Sequence, residues 1–96
     1  MHTVLLTLTC NPGVRDGFLP VFAEALIDTR KFAGCQLVEV YTDQDNSNTI
    51  LVWEKWESRA HQEKYIQWRM ETGMLDKMAT VLSEPPTFLH LDHTSH

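Results

Sequence analysis

An α+β fold with an antiparallel sheet, in the element order βαββαβ, is what this sequence predicts, on three observations. Short β-branched or alternating apolar stretches occur four times, at 2–9, 35–42, 49–56 and 87–93. Apolar residues spaced by three and four fill two of the intervals, at 14–32 and 59–82. The middle pair of strands is instead joined by "DQDNSN" (43–48), a polar turn of the kind that closes a hairpin. Two helices on one face of such a sheet make the split βαβ unit of ferredoxin-like folds.

Taking the elements in order, "HTVLLTLT" (2–9) sets Val4, Leu6 and Leu8 on one face and Thr3, Leu5, Thr7 and Thr9 on the other. "CNPG" (10–13) interrupts the strand, with Asn11 expected to cap the following helix and Pro12 to fit its first turn. Over 14–32, Val14, Phe18, Val21, Phe22, Ala25, Leu26 and Thr29 form a one-sided stripe, and Gly34 stands where a left-handed cap ends a helix. The stretch "TILVWEKW" (49–56) carries two tryptophans at helical spacing. Its hairpin partner "CQLVEVYT" (35–42) makes it a strand, so Trp53 and Leu51 face one side while Val52, Glu54 and Trp56 face the other. Ser58 is a ready N-cap for 59–70. "ETG" breaks that helix, 74–82 resumes it, and Pro85 and Pro86 precede the last strand, 87–93.

Ninety-six residues are expected to form one domain, 1–96. A chain of this length buries only about 60–65 % of the surface its unfolded form exposes. Both faces of its strands nevertheless read as apolar, which calls for a second sheet against the first and hence a homodimer. The formal charge of −5, with no basic run, excludes a sequence-independent nucleic-acid binder. No apolar run approaches the roughly 20 residues of a membrane span. "MHTVLLTLTC" lacks the charged start of a signal peptide, and a cytoplasmic location is expected. Cys10 and Cys35 have no cysteine or histidine at zinc-ligand spacing, so they read as free thiols and no metal is expected.

The segment "ILVWEKWESRAHQEKYIQWRMETGML" resembles the antibiotic biosynthesis monooxygenase family, small dimeric α+β barrel proteins. The likeness extends to the Gly34–Cys35 turn, the E-x-W-x-S of Glu54, Trp56 and Ser58, and the Pro85–Pro86 pair. Such relatives include quinol and anthrone oxygenases, haem-degrading enzymes and isomerases. Many carry a histidine nine residues after the tryptophan of E-x-W, where this chain has Tyr65; His61 sits one turn earlier. The haem-degrading set of a first-strand Asn with a later helical His is missing here.

The resemblance implies a cofactor-independent monooxygenase that oxidises a phenolic or quinol-type aromatic with O₂, without metal or organic cofactor. The alternatives are a non-catalytic small-ligand-binding or regulatory dimer and an isomerase of small oxygenated metabolites. No G-x-G-x-x-G, P-loop or serine elbow occurs in the chain. An ionised hydroquinone or anthrone can itself reduce O₂, so the protein needs a base and a dry, anion-stabilising pocket. His61, Tyr65 and Trp68 share about 60° of helical arc, flanked by Lys64 and Arg69. They are either core or one wall of an aromatic pocket. His61 or His90 is the expected base, with Tyr65 beside it, and Tyr65, Trp68 and Arg69 are expected to position the ring. Phe88, His90 and Asp92 alternate on the last strand, so Asp92 is expected beside His90, unless that edge is simply solvated. Glu54, on one face with Trp56, either pairs with Arg69, Lys64 or the backbone, or lies in the pocket with a raised pKa.

Overall fold

The third strand of the chain organises the sheet, because it must be covered on both edges and on one whole face. In the computed structural model, which describes residues 1–96, the elements are β1 (His2–Thr9), α1 (Arg15–Lys31), β2 (Cys35–Thr42), β3 (Thr49–Trp56), α2 (Arg59–Glu71), α3 (Met74–Ala79) and β4 (Thr87–Leu91). The strands run in the order β2-β3-β1-β4, all antiparallel. This is the ferredoxin-like α+β arrangement expected from the sequence.

Pairing register sets what each side chain meets. Across the sheet one row reads Val38, Glu54, Val4, His90, and the next reads Val40, Val52, Leu6, Phe88. These rows lie on the face that the helices cover. There Leu6, Leu8, Ile50 and Val52 pack with Phe22 and Leu26 of α1 and Met78 of α3. A second cluster of Val4, Trp56 and Tyr65 is flanked by Phe32 and Trp68. The alternation of β3 is as expected: Trp56, Glu54 and Val52 are buried and Leu51 and Trp53 are not. The opposite face has no helix over it and carries Leu5, Leu37, Tyr41, Leu51, Trp53 and Leu89; Tyr41 and Leu89 are about half exposed.

Three boundaries differ from the sequence reading, each for a physical reason, and one burial pattern differs as well. Asn11 does not cap α1. Residues 11–14 form a turn in which Val14 N–H donates to the Asn11 carbonyl, with Gly13 at φ +77°, and the helix starts at Arg15 with no side-chain cap. The helix at 74–82 shortens to Met74–Ala79, because the chain beyond it bonds to the end of the first strand: Asn11 N–H to the Val81 carbonyl, and Ser83 N–H to the Thr9 carbonyl. β4 stops at Leu91, opposite Thr3, where its partner strand runs out, so Asp92 lies outside the sheet. The apolar stripe of α1 is only partly covered. Phe22, Leu26 and Thr29 are buried, whereas Val21 is 64 % exposed.

Cys10 and Cys35 are free thiols. Cys35 pairs with Trp56, which pairs with His2, whereas Cys10 follows the far end of the same strand. At roughly 3.3 Å per residue they stand about 25 Å apart. No helix is long and apolar enough to cross a membrane.

Gly34 ends the turn into β2 with φ +89°, and a Cβ there would come 2.5 Å from ring atoms of His61. Gly13 has a similar φ with open space around it. Gly34→Ala is therefore expected to cost about 1–3 kcal/mol and to displace His61, and Gly13→Ala to cost only the smaller backbone strain. Urea melts of the two variants check this. Equal losses would show that the imidazole contact costs nothing.

Candidate functional site

β3 carries a carboxylate into the interior because of where its register lands. Glu54 has Val4 and Val38 as its neighbours across the helix-covered face, neither of which can bond it. Its partner is on its own strand. The Trp56 indole, fully buried, donates Nε1–H to Glu54 Oε1 at 2.9 Å. Burial pushes the Glu54 pKa above the ordinary carboxylate range, with the indole bond pulling the other way. The bond to Arg69 or Lys64 that the sequence left open is not made.

α2 supplies the opposite wall. Its Tyr65 hydroxyl shares a 2.7 Å hydrogen bond with Thr29 of α1 and accepts from Arg69 Nε at 2.8 Å. Arg69 Nη2 donates to the Ala25 carbonyl at 2.7 Å and to Thr29 Oγ1 at 3.0 Å. Its guanidinium also stacks over Trp68 at 4.5 Å. Arg69 is buried and forms no ion pair, and Nη1 donates to no group of the protein. Burial raises the Tyr65 pKa against the pull of its bonds to Thr29 and Arg69, so the phenol stays neutral.

Glu54, Tyr65, Arg69 and Phe88 line one cavity between sheet and helices, its other walls including the apolar side chains of Phe22, Ile66, Met74 and Met78. Its free volume is about 30 Å³. That is room for a water or two.

The remaining sequence candidates fall elsewhere. Trp56 sits behind Glu54 in an aromatic cluster with Tyr65, ring centroids 5.1 Å apart. Trp68 stacks on Phe32 at 5.4 Å, and Phe32 stands edge-on to Tyr65 at 5.3 Å. His61 lies at the outer end of α2 beside a shallow hollow shared with Phe32, Ala33, Ala60 and Lys64. There its Nδ1 meets Ser58 Oγ at 2.7 Å and its Nε2 meets Glu57 at 3.3 Å. Ser58 is the N-cap, as expected, accepting the His61 backbone N–H. The stripe of His61, Tyr65 and Trp68 is thus divided between an outer hollow and the interior. His90 does not meet Asp92. Its Nδ1 meets His2 Nε2 at 2.8 Å, and burial, then Arg59 and His2, lower its pKa while Glu63 opposes. Phe88 borders both the cavity and the hollow beside His90. No three of the His, Cys, Asp and Glu side chains converge as a metal-binding group.

Sequence reasoning did not assign Thr29, which joins Tyr65 and Arg69. A threonine on the apolar stripe of α1 was the available signal, because a buried hydroxyl needs a partner.

A ferredoxin-like sheet with a polar-ended apolar cavity beneath its helices defines a class of small α+β proteins. Within it, the profile of the antibiotic biosynthesis monooxygenase family matches residues 1–69, and the chain belongs to that family. Among solved structures, an antibiotic biosynthesis monooxygenase superposes with TM-score 0.85 at 20% identity, covering 98% of this chain and 99% of the other. A conserved protein from Methanosarcina mazei gives 0.84 at 15% identity, covering 97% and 92%. A protein of unknown function from Nitrosomonas europaea gives 0.82 at 17% identity, covering 99% and 90%. No functionally curated protein matches the chain. At these identities the structural likeness speaks for the fold.

The Glu54 pKa, raised above its unfolded value near 4.5, makes stability depend on pH. The folded state holds the neutral acid better, so this contribution is complete below pH 4.5 and is lost as pH rises through the folded pKa. Glu54→Gln keeps an acceptor for the indole and removes the titration. The variant is expected to match the parent in urea at pH 4 and to exceed it at pH 8. A parent that gains stability relative to the variant over that interval would contradict the burial effect.

Proposed function

We propose that the protein is a cofactor-independent monooxygenase of phenolic or quinol-type aromatics, acting as a cytoplasmic homodimer. One observation carries the reading. Arg69 has no carboxylate partner, keeps the N–H groups of Nη1 accessible and unbonded to protein, and lines the same cavity as a carboxyl group whose pKa is raised. An accessible guanidinium N–H is a strong donor to an anion. An ionised phenol or enol is such an anion, and membership of a monooxygenase family supports oxidation as its fate.

In this reading Glu54 takes the proton, since a pKa moved up toward neutrality suits a general base. Arg69 and the Tyr65 hydroxyl hold the oxyanion, and Phe88 and Ile66 face the ring. The delocalised carbanion transfers an electron to O₂, the two radicals join as a ring peroxide anion, and Glu54 returns its proton to give the hydroperoxide. Loss of water then leaves a new carbonyl: a CH₂ group gives up four electrons, and one oxygen atom enters product while the other leaves as water. His61 and His90, the bases expected from the sequence, stand outside this cavity. Their placement also favours a second reading, ligand binding without turnover.

Oxygen-electrode assays with anthrone or a reduced quinol separate these readings. The expected result is O₂ uptake that falls by about 10²–10⁴-fold in Glu54→Gln, with ligand affinity changed little. Arg69→Gln is expected to lose affinity and rate together. Binding with no O₂ uptake by the parent would establish the second reading. Loss of turnover in His61→Ala or His90→Ala, with Glu54→Gln active, would move the base to that histidine.

The uncovered sheet face supports the homodimer, since Leu5, Leu51 and Trp53 can be covered by the same face of a second copy. Light scattering is expected to give twice the 11.1 kDa chain mass. Trp53→Glu is expected to yield monomer. A parent chain that is monomeric at micromolar concentration would overturn the assembly.

A further inference from the structure

The inner cavity is too small for the ligand proposed for it. With about 30 Å³ free it admits water, whereas single-ring ligands occupy engineered cavities of roughly 150 Å³. A much larger space lies next to it. Between α1 and α3 runs a groove of about 530 Å³, within the range of small-molecule sites. Its α1 side is the part of the apolar stripe that the sheet does not cover, with Val14, Phe18 and Val21, and Lys77 is its one charged residue.

Three side chains, Phe22, Met74 and Met78, line both the groove and the inner cavity. They form the partition between the two. Met74 and Met78 are four apart on α3 and so share a face of that helix. A thioether side chain has three rotatable bonds and repacks readily, so it can swing aside without moving the backbone. α3 itself is a six-residue helix entered through Gly73 at φ +81°.

We propose that groove and cavity are two compartments of one binding site, and that Met74, Met78 and Phe22 are the gate between them that selects ligands by size. This rests on the reading of Glu54 and Arg69 as the polar end of the site. The acidic hydroxyl of a planar aromatic lodges there, the methionines rotate around its rings, and the rest of the apolar body lies in the groove against Phe18 and Val21. The occupant is an aromatic hydroxyl compound of more than one ring. The shared wall argues for it, because a ligand confined to the cavity would lack room, and one confined to the groove would meet Lys77 but no group able to take its proton.

Equilibrium dialysis with phenol, 2-naphthol and 9-phenanthrol tests the gate, since the hydroxyl stays constant while apolar area grows. The parent is expected to bind more tightly with each added ring. Met78→Ala, which opens the partition, is expected to gain about tenfold for 9-phenanthrol and under roughly twofold for phenol. A second variant, Met74→Leu with Met78→Leu, keeps apolar volume while removing side-chain flexibility, and it stands in if the alanine variant does not fold. In stopped-flow mixing followed by tryptophan fluorescence, it is expected to slow association of 9-phenanthrol by about tenfold and leave that of phenol unchanged. Equal changes across the three ligands, or none, in the variant that folds would overturn the gate. Failure of the underlying reading looks different. It would appear as phenol affinity in the otherwise unmodified chain unmoved by both Glu54→Gln and Arg69→Gln, whatever the methionine variants do.

Discussion

The hydrogen bond from the Trp56 indole to Glu54 joins the packing of this protein to its chemistry. An indole with no solvent exposure must still satisfy its N–H. Two residues earlier on the same face of the same strand, Glu54 is the acceptor within reach, at 2.9 Å. The bond fixes the indole where Phe32 meets it edge-on and Tyr65 meets it at a tilt. It also holds a carboxyl group between Val4 and Val38, where burial raises its pKa. One contact therefore closes the smaller core cluster and leaves a proton-carrying group at the end of a cavity.

The second polar knot faces it from the helices. Tyr65, Arg69 and Thr29 bond to one another and to the Ala25 carbonyl, tying α2 to α1 over the sheet. The aromatic faces of Trp68 and Tyr65 take part of the guanidinium's charge in place of a carboxylate. That substitution matters. A carboxylate partner would neutralise Arg69 and leave nothing for an anion, whereas stacking and neutral acceptors hold the group in place and keep its positive potential. Glu54 and Arg69 line the same cavity without pairing, and the proposed acid–base reading rests on that polarity.

The fold was legible because its signals are local and repeated. Alternation in 2–9 and 49–56, three-and-four spacing in 14–32 and 59–70, and polar turn residues at 43–48 each point to one element. Their order admits few topologies. Misreadings fell where a distant strand competed for the backbone, as where Val81 and Ser83 bond the end of β1 in place of another helical turn. The lining of the candidate cavity was partly legible. Glu54 stood out as an acidic residue on a strand face otherwise apolar, and Tyr65 and Arg69 as helix neighbours of the tryptophan pair. Glu57 and Ser58, four and three residues before His61, were its legible partners at a helix start, whereas His90 meets His2 across 88 positions, which no local spacing shows.

By itself the sequence determined the element order, the face on which each strand residue lies, and the membership in a family of small α+β oxygenase-like domains. Periodicity and turn chemistry act over a few residues, so they survive without knowledge of the fold. Only the tertiary structure decided which polar groups share a cavity. Thr29 reaches Tyr65 across 36 positions and Arg69 reaches Ala25 across 44, and those distances close only when α1 and α2 are laid on one sheet. It also decided that the cavity is nearly full and that a larger groove lies one methionine away. Free volume is a property of packed neighbours, and no stretch of sequence contains it.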